Sequence, residues 1–454
     1  MKIRSHKNSG RNQGAVLILT VTLLVFVAFF MATYLLLTEN EYASVARSQT
    51  WNSAMVEAEA GVEDALALIN KNEGNFGQIA SWSGTAVSAD NWTKNGNVYS
   101  MYRMVNTNMG YYNVYITNAI SSSNTGPAIL SVGAGNWNSS SATFRSQNAV
   151  RKIFVQTYLD ALFTGAIDTK NNIDLNGNNV MVDSFDSSDP TYSSWNASLG
   201  YGTYSSSKDK ANGNVSTDSA IVGAISVGQA NIYGHVNTGP GGTASVGNNG
   251  YVGPLPQSGS GIQPGYSSDD MNVNFSDPVL PTPPGGLWFP VVGNVITNSG
   301  YYSVLSISGN LTINASNVVL YVIGNISLSG NNVVNVGTNA SATIYVGGPT
   351  ISTSGNGAIN NLTQNAANMA IYGLASVTSI SLSGNAAFTG TIYAPEATFS
   401  FGGGGSTTYD YVGALVAKSV TLNGHANFHY DESLARNGPA RGYIPKIWKE
   451  VIGG

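Results

Sequence analysis

The sequence predicts an α+β chain that is mainly β: a long N-terminal helix, a small β head layer and a C-terminal right-handed parallel β-helix. Three observations lead there. Residues 15–37, AVLILTVTLLVFVAFFMATYLLL, form a run of 23 residues without a charge. A six-residue phrase recurs from residue 173 onward. Charged residues are 9% of the 454, against roughly 25% in ordinary soluble domains, while Gly numbers 53. A net charge of −5 without basic blocks gives no footprint for nucleic acid. Hydrophobic residues at 42% exclude general disorder, and the absence of Cys excludes disulfides, thiol catalysis and thiolate zinc sites.

Residues 1–14 hold Lys2, Arg4, Lys7 and Arg11 and no acid, a basic leader. As a helix, 15–37 spans about 34 Å, enough for a bilayer core of roughly 30 Å. It is too long for the ~7–15-residue apolar core of a secretory signal. Basic residues before it, with Glu39 and Glu41 after it, put the N-terminus in the cytoplasm and the remainder in the periplasm or outside the cell. Residues 38–70 continue the helix without Pro, with a stripe at Met55, Val62, Leu66 and Ile69. Asn70, Asn72 and Gly74 supply the stop. This amphipathic half needs a partner. Residues 71–165 offer one, since YYNVYITNAI and AVRKIFVQTYLDALF alternate as strands do.

The stretch RNQGAVLILTVTLLVFVAFFMATYLLLTENEYA, followed by AEAGVEDALA, resembles the N-terminus of type IV pilins and pseudopilins, most closely of PilX-type minor pilin-like assembly proteins. The resemblance implies cleavage by a prepilin peptidase after Gly14, leaving Ala15 as the mature N-terminus. It also implies packing of Leu19, Leu24, Phe26, Phe29 and Phe30 in the inner membrane and against other pilin-like subunits. Leu19 stands where major pilins carry a Glu that pairs with a neighbour's amine, which implies a minor, tip or assembly role. The alternative is a plain uncut anchor.

The phrase appears as IDLNGN (173–178), LSISGN (305–310), ISLSGN (326–331), ISTSGN (351–356), ISLSGN (380–385) and VTLNGH (420–425), with ISVGQA (225–230) as a degenerate copy. Starts from 305 fall 21, 25, 29 and 40 residues apart. Such a variable period predicts a solenoid over 166–435, with the first and third residues of each phrase inside and a turn after them. A second phrase, Ile232-Tyr233, Leu320-Tyr321, Ile344-Tyr345, Ile371-Tyr372 and Ile392-Tyr393, predicts a second face. Its tyrosines would point outward as a stripe suited to a glycan or surface ligand. The head is expected to cap one end of the solenoid, and the tail 436–454 the other. VDSFDSSDPTY and YVGALVAKSVTLNGHANFHYDESLA resemble the β-solenoid region that accompanies PilX-type N-termini.

Parallel β-helices also carry polysaccharide-active enzymes, so Asp168, Asp174, Asp183, Asp186, Asp189, Asp269 and Asp270 are the carboxylates to follow. Within DSFDSSD, Asp183, Asp186 and Asp189 are weak candidates for a hard cation, against the ordinary use of Asp in Asx turns. His425 and His429 would stand about 13 Å apart along a strand, which with His6 and His235 makes no zinc set. The expectation is a non-enzymatic structural protein without cofactor or metal. A membrane-anchored adhesin outside any filament is the alternative, and a polysaccharide-active enzyme comes after it.

Overall fold

The computed structural model describes residues 11–71, 91–96, 98–106, 110–117, 126–137, 147–177, 180–384, 387–402 and 409–451. Most of the leader, His6, and the stop residues Asn72 and Gly74 lie outside the described residues. The chain divides into two compact units, Met1–Asp160 with Gly442–Gly454, and Ala161–Arg441.

The first unit is built on one helix, α1 (Arg11–Lys71). At 1.5 Å per residue it is about 90 Å long. Its membrane-length half is exposed throughout, and its second half buries Ala54, Ala58, Val62, Ala65, Leu68 and Ile69. Met55 and Leu66 flank that buried stripe. The partner is an antiparallel meander: β1 (Thr93–Asn95), β2 (Val98–Asn106), β3 (Gly110–Thr117), β4 (Ala128–Trp137) and β5 (Gln147–Ala161). The helix lies on β3 and β4. Small residues on both sides allow this: a Cβ on Gly133 would sit 2.2 Å from the Ala54 carbonyl oxygen, and one on Gly135 2.3 Å from that of Thr50.

The tail does something other than cap a solenoid. Ala440–Glu450 is a sixth strand of this sheet, beside β5. Arg151 clasps Glu450 through two hydrogen bonds of 2.7 and 2.6 Å. Asn70 near the end of α1 exchanges hydrogen bonds with the Tyr443 backbone at 3.0 and 2.7 Å. Residues 161–441 are therefore an insertion between two strands that pair with each other.

In that insertion short strands stack in parallel register. One column of paired residues reads Ser267, Val236, Val215, Ile167, Leu415, Ile392, Ile371, Ile344, Leu320, Tyr302, Phe289. A second reads Ala244, Ile225, Ile173, Val420, Phe399, Ile380, Ile351, Ile326, Ile307. A third reads Ile262, Val252, Ile232, Val182, Phe428, Tyr411, Phe388. From Val215 to Leu320 the first column is a continuous aliphatic core, every member essentially buried. The recurring phrase makes the second column, with its first and third residues inside as in Ile351 and Thr353. Two details differ from the phrase as read. LSISGN registers on Ile307, leaving Leu305 77% exposed. The 40-residue gap hides a copy with Phe399 in the Ile place.

The order of the stack is not the order of the chain. Residue 167 lies in the middle of the first column. An outward arm builds from it to Ser267; the chain then crosses to Phe289 and a return arm builds back to Leu415, beside Ile167. The ends of the stack thus come from the middle of the sequence. The unit's own ends meet, with the Leu162 amide donating to the Pro439 carbonyl at 2.9 Å.

Replacing Gly133 by Val should separate α1 from β4 and destabilise the first unit by about 1–3 kcal/mol. Hydrogen exchange should show reduced protection across residues 50–68 while 318–346 keep theirs.

Candidate functional site

Three groups of residues were singled out, and the folding places each differently. In α1, Leu19, Leu24, Phe26, Phe29 and Phe30 are 62–69% exposed. Gly14 stands in the first turns of the helix with nothing within 4 Å of a built Cβ, next to Ala15. The hydroxyls of Thr20, Thr22, Thr33 and Thr38 turn back onto carbonyls one turn earlier at 2.8–3.0 Å. Each threonine hydroxyl is thereby satisfied within the helix itself, as an apolar environment requires. Among the described residues this is the one helix long and apolar enough to cross a membrane.

Four of the five tyrosines form one column: Tyr321, Tyr345, Tyr372 and Tyr393 pair in succession. The rings of Tyr345 and Tyr372 stack at 5.0 Å and 13°. Burial, then the neighbouring phenols, hold the Tyr372 hydroxyl well above its ordinary pKa. Tyr233 belongs to the third column instead, one position beyond the Ile232–Val182 pair. The column is also not an open stripe. The crossing segment runs along it: the Val273 amide donates to Asp218 at 2.9 Å, Phe275 is buried, and the buried Tyr393 hydroxyl donates to the Ser276 carbonyl at 2.9 Å. Trp288 then closes on Tyr301 and Tyr321 at 5.6 and 5.7 Å. A tyrosine in a strand pointed outward on pattern alone; the cover comes from a proline-rich segment with no pattern to reveal it.

The carboxylates of DSFDSSD turn to separate partners. Asp189 accepts from the Thr191 amide at 2.8 Å, an Asx turn. Asp186 takes Arg436 and Ser188; burial opposes its charge, but those hydrogen bonds prevail and lower its pKa. Asp183 is wholly buried and faces His429 and Tyr204. Among the described residues no group of three His, Cys, Asp or Glu is placed to hold a metal ion. Asp174 makes an Asx turn with the Asn176 amide at 3.1 Å, and Asp269 and Asp270 are exposed at the start of the crossing. Asp168 is buried, and desolvation raises its pKa to about 7 against the opposing hydrogen bond from Ser216. His235 stacks on Tyr266 at 4.5 Å.

His429 is the residue that pattern reading undervalued. Its Nδ1 lies 2.6 Å from Asp183 Oδ1, and its ring stacks on Tyr204 at 3.6 Å and 21°. The Tyr204 hydroxyl donates to the other Asp183 oxygen at 2.8 Å. Nε2 stands 3.5 Å from Asp410 Oδ1, an electrostatic contact and too long for a good hydrogen bond. Burial works to discharge the imidazole, but the two carboxylates outweigh it and raise its pKa to about 9. In sequence nothing links 183, 204, 410 and 429; the pairing of Ala426–Asp431 with Met181–Phe185 on one side and with Tyr409–Leu422 on the other brings Asp183 and Asp410 to His429.

A family model described as a domain of unknown function (DUF7305) matches residues 272–437. That span is the crossing segment and the return arm, without the outward arm. No curated protein and no solved structure matches the chain.

A folded-state pKa raised from 6.5 to about 9 means that His429 contributes stability fully below pH 6.5 and loses it as pH rises through about 9. The contribution is of order 3 kcal/mol. Denaturant melts at pH 6 and pH 9.5 should show wild type losing more stability than His429→Gln, which is weaker at pH 6 and keeps only the loss both proteins share, such as that from buried Asp168.

Proposed function

We propose that this chain is a non-enzymatic, pilin-like structural protein: a minor or tip subunit, or an assembly factor, of a type IV pilus or related secretion filament. The observation that carries the reading is the division of α1. One half is apolar and bare on every side; the other is packed through small residues onto an antiparallel sheet. Each bare Leu or Phe gains roughly 1.5–3 kcal/mol when covered, so this half needs lipid first and other helices afterwards. The basic leader sets the N-terminus in the cytoplasm of a bacterium. A prepilin peptidase would cut at Gly14 and free Ala15. Leu19, Leu24, Phe26, Phe29 and Phe30 would then pack among neighbouring subunits. Without a carboxylate at position 19, the chain offers no partner to a neighbour's amine, which suits a terminal or occasional place.

The second unit reads as a right-handed parallel β-helix displayed outside the cytoplasm. The three columns, each advancing one strand per turn of chain, support that description. Its role here is a rigid exposed module.

N-terminal sequencing of protein from cells with and without the peptidase tests the assignment. The expected start is Ala15, dependent on the peptidase, with the protein recovered in sheared filaments. An intact Met1, or a cut near residue 46, would show an anchored or secreted protein that never enters a filament.

A further inference from the structure

We infer that the second unit binds a neutral oligosaccharide in a cleft beside Trp195. The cleft has a volume of about 720 Å³, inside the roughly 300–1,000 Å³ range of small-ligand sites. One wall is the antiparallel hairpin of Ser194–Asn196 with Tyr201–Thr203, an excursion of the outward arm. The other wall is two turns of the return arm, at Thr338 and Asn339 and at Leu362–Gln364. The two arms are far apart in sequence, so the cleft exists only because the stack closes on itself.

Its chemistry selects the ligand. None of the lining residues is Asp, Glu, Lys, Arg or His. In a chain with 9% charged residues that alone decides little. The tryptophan decides more: Trp195 is one of seven in the chain and is 37% exposed at the cleft. A flat apolar ring beside amides and hydroxyls matches a sugar, whose C–H face stacks while its hydroxyls donate and accept. Exposed Leu199 and Leu362 extend the apolar floor, at 46% and 49%. Among the described residues, no side-chain hydrogen bond engages the amides of Asn339 and Gln364. Both are free to meet ligand hydroxyls.

The walls are already set. Tyr201 donates to the Thr363 carbonyl at 2.8 Å, tying one arm to the other. Asn361 accepts from the Thr363 amide and hydroxyl at 3.1 and 2.7 Å, and Asn196 accepts from the Ser198 amide at 3.0 Å. Walls fixed in this way reduce the ordering cost of binding. The site stands apart from the filament assignment, because it is measured on isolated protein.

Full-length protein in detergent is applied to an array of neutral cello-, malto-, chito-, manno- and galacto-oligosaccharides, with sialylated and sulfated glycans and unstructured peptides beside them. A neutral glycan should bind, and calorimetric titration of that glycan should weaken at least tenfold in Trp195→Ala and in Asn339→Ala. Trp288→Ala, in the crossing segment, should bind as wild type, and the two cleft variants should melt as wild type does. The inference is overturned by an array with no neutral glycan bound, by preference for charged glycans or peptides, or by unchanged affinity in both cleft variants.

Discussion

A parallel strand must find hydrogen-bond partners on both of its edges, and the second unit meets this demand by pairing its first strands with its last two. Ile167 has Val215 on one side and Leu415 on the other, although 415 is the far end of the insertion. Entry and exit are thereby adjacent, which is what an insertion between β5 and its neighbouring strand requires. It also fixes what the chain does between the arms. The first column contains ten steps from Ser267 to Phe289, about 48 Å at 4.8 Å per strand. The 20 residues between Ser268 and Phe289 reach about 62 Å in the polyproline conformation. The crossing must run nearly extended along the stack, and its prolines at 278, 281, 283 and 284 suit that path. Cover over the tyrosine column follows from the closure.

Aliphatic columns alone would leave the closure under-determined, since one Ile or Val stacks on another in several alignments. Polar residues resolve it. In the register observed, His429 meets Asp183 at 2.6 Å in a fully buried place, and the Tyr430 hydroxyl reaches the Phe163 carbonyl at 3.0 Å. A slip of one residue would send this set to the opposite face and bury unpaired groups in its place. Next to it, Asp431 accepts from the amides of Ser187 and Ser433 at 3.0 and 3.1 Å; burial still raises its pKa. These contacts are side by side because of topology, and they also hold that topology to one alignment.

The long helix was legible because its two requirements are local: an uncharged run of membrane length, and then small and apolar residues at helical spacing. The inward and outward positions of each strand were legible for the same reason, as Ile326, Ile351 and Ile380 show. Stacking order was not, because a phrase such as ISLSGN is compatible with any neighbour of like kind. Phe399 escaped because a Phe performs the packing of an Ile without its spelling. Tyr233 was misplaced because an Ile-Tyr pair states which face a side chain takes and not which column it joins. The tail was misread because IPKIWKE needs an edge strand, and β5 became visible as one only in three dimensions. The Trp195 cleft and the His429 cluster each combine outward and return arms, so no window of sequence contains either.

Charge placement ties these points together. In a column every residue has like residues about 4.8 Å above and below. Two equal charges at that distance repel by about 1 kcal/mol even in water, and by more where solvent is excluded. A stack of near-copies must therefore be poor in charge along its length. At the closure, however, the neighbours are not copies, and the restriction lifts. Among the described residues of the second unit, Lys170 pairs with Glu396, Lys210 with Glu432, Arg436 with Asp186, and His429 with Asp183. Each pair joins the outward arm to the return arm. In the first unit Arg151 and Glu450 do the same for β5 and the C-terminal strand. The low charge content and the location of these pairs have one cause: ions are tolerated where dissimilar segments meet, and there they specify which segments those are.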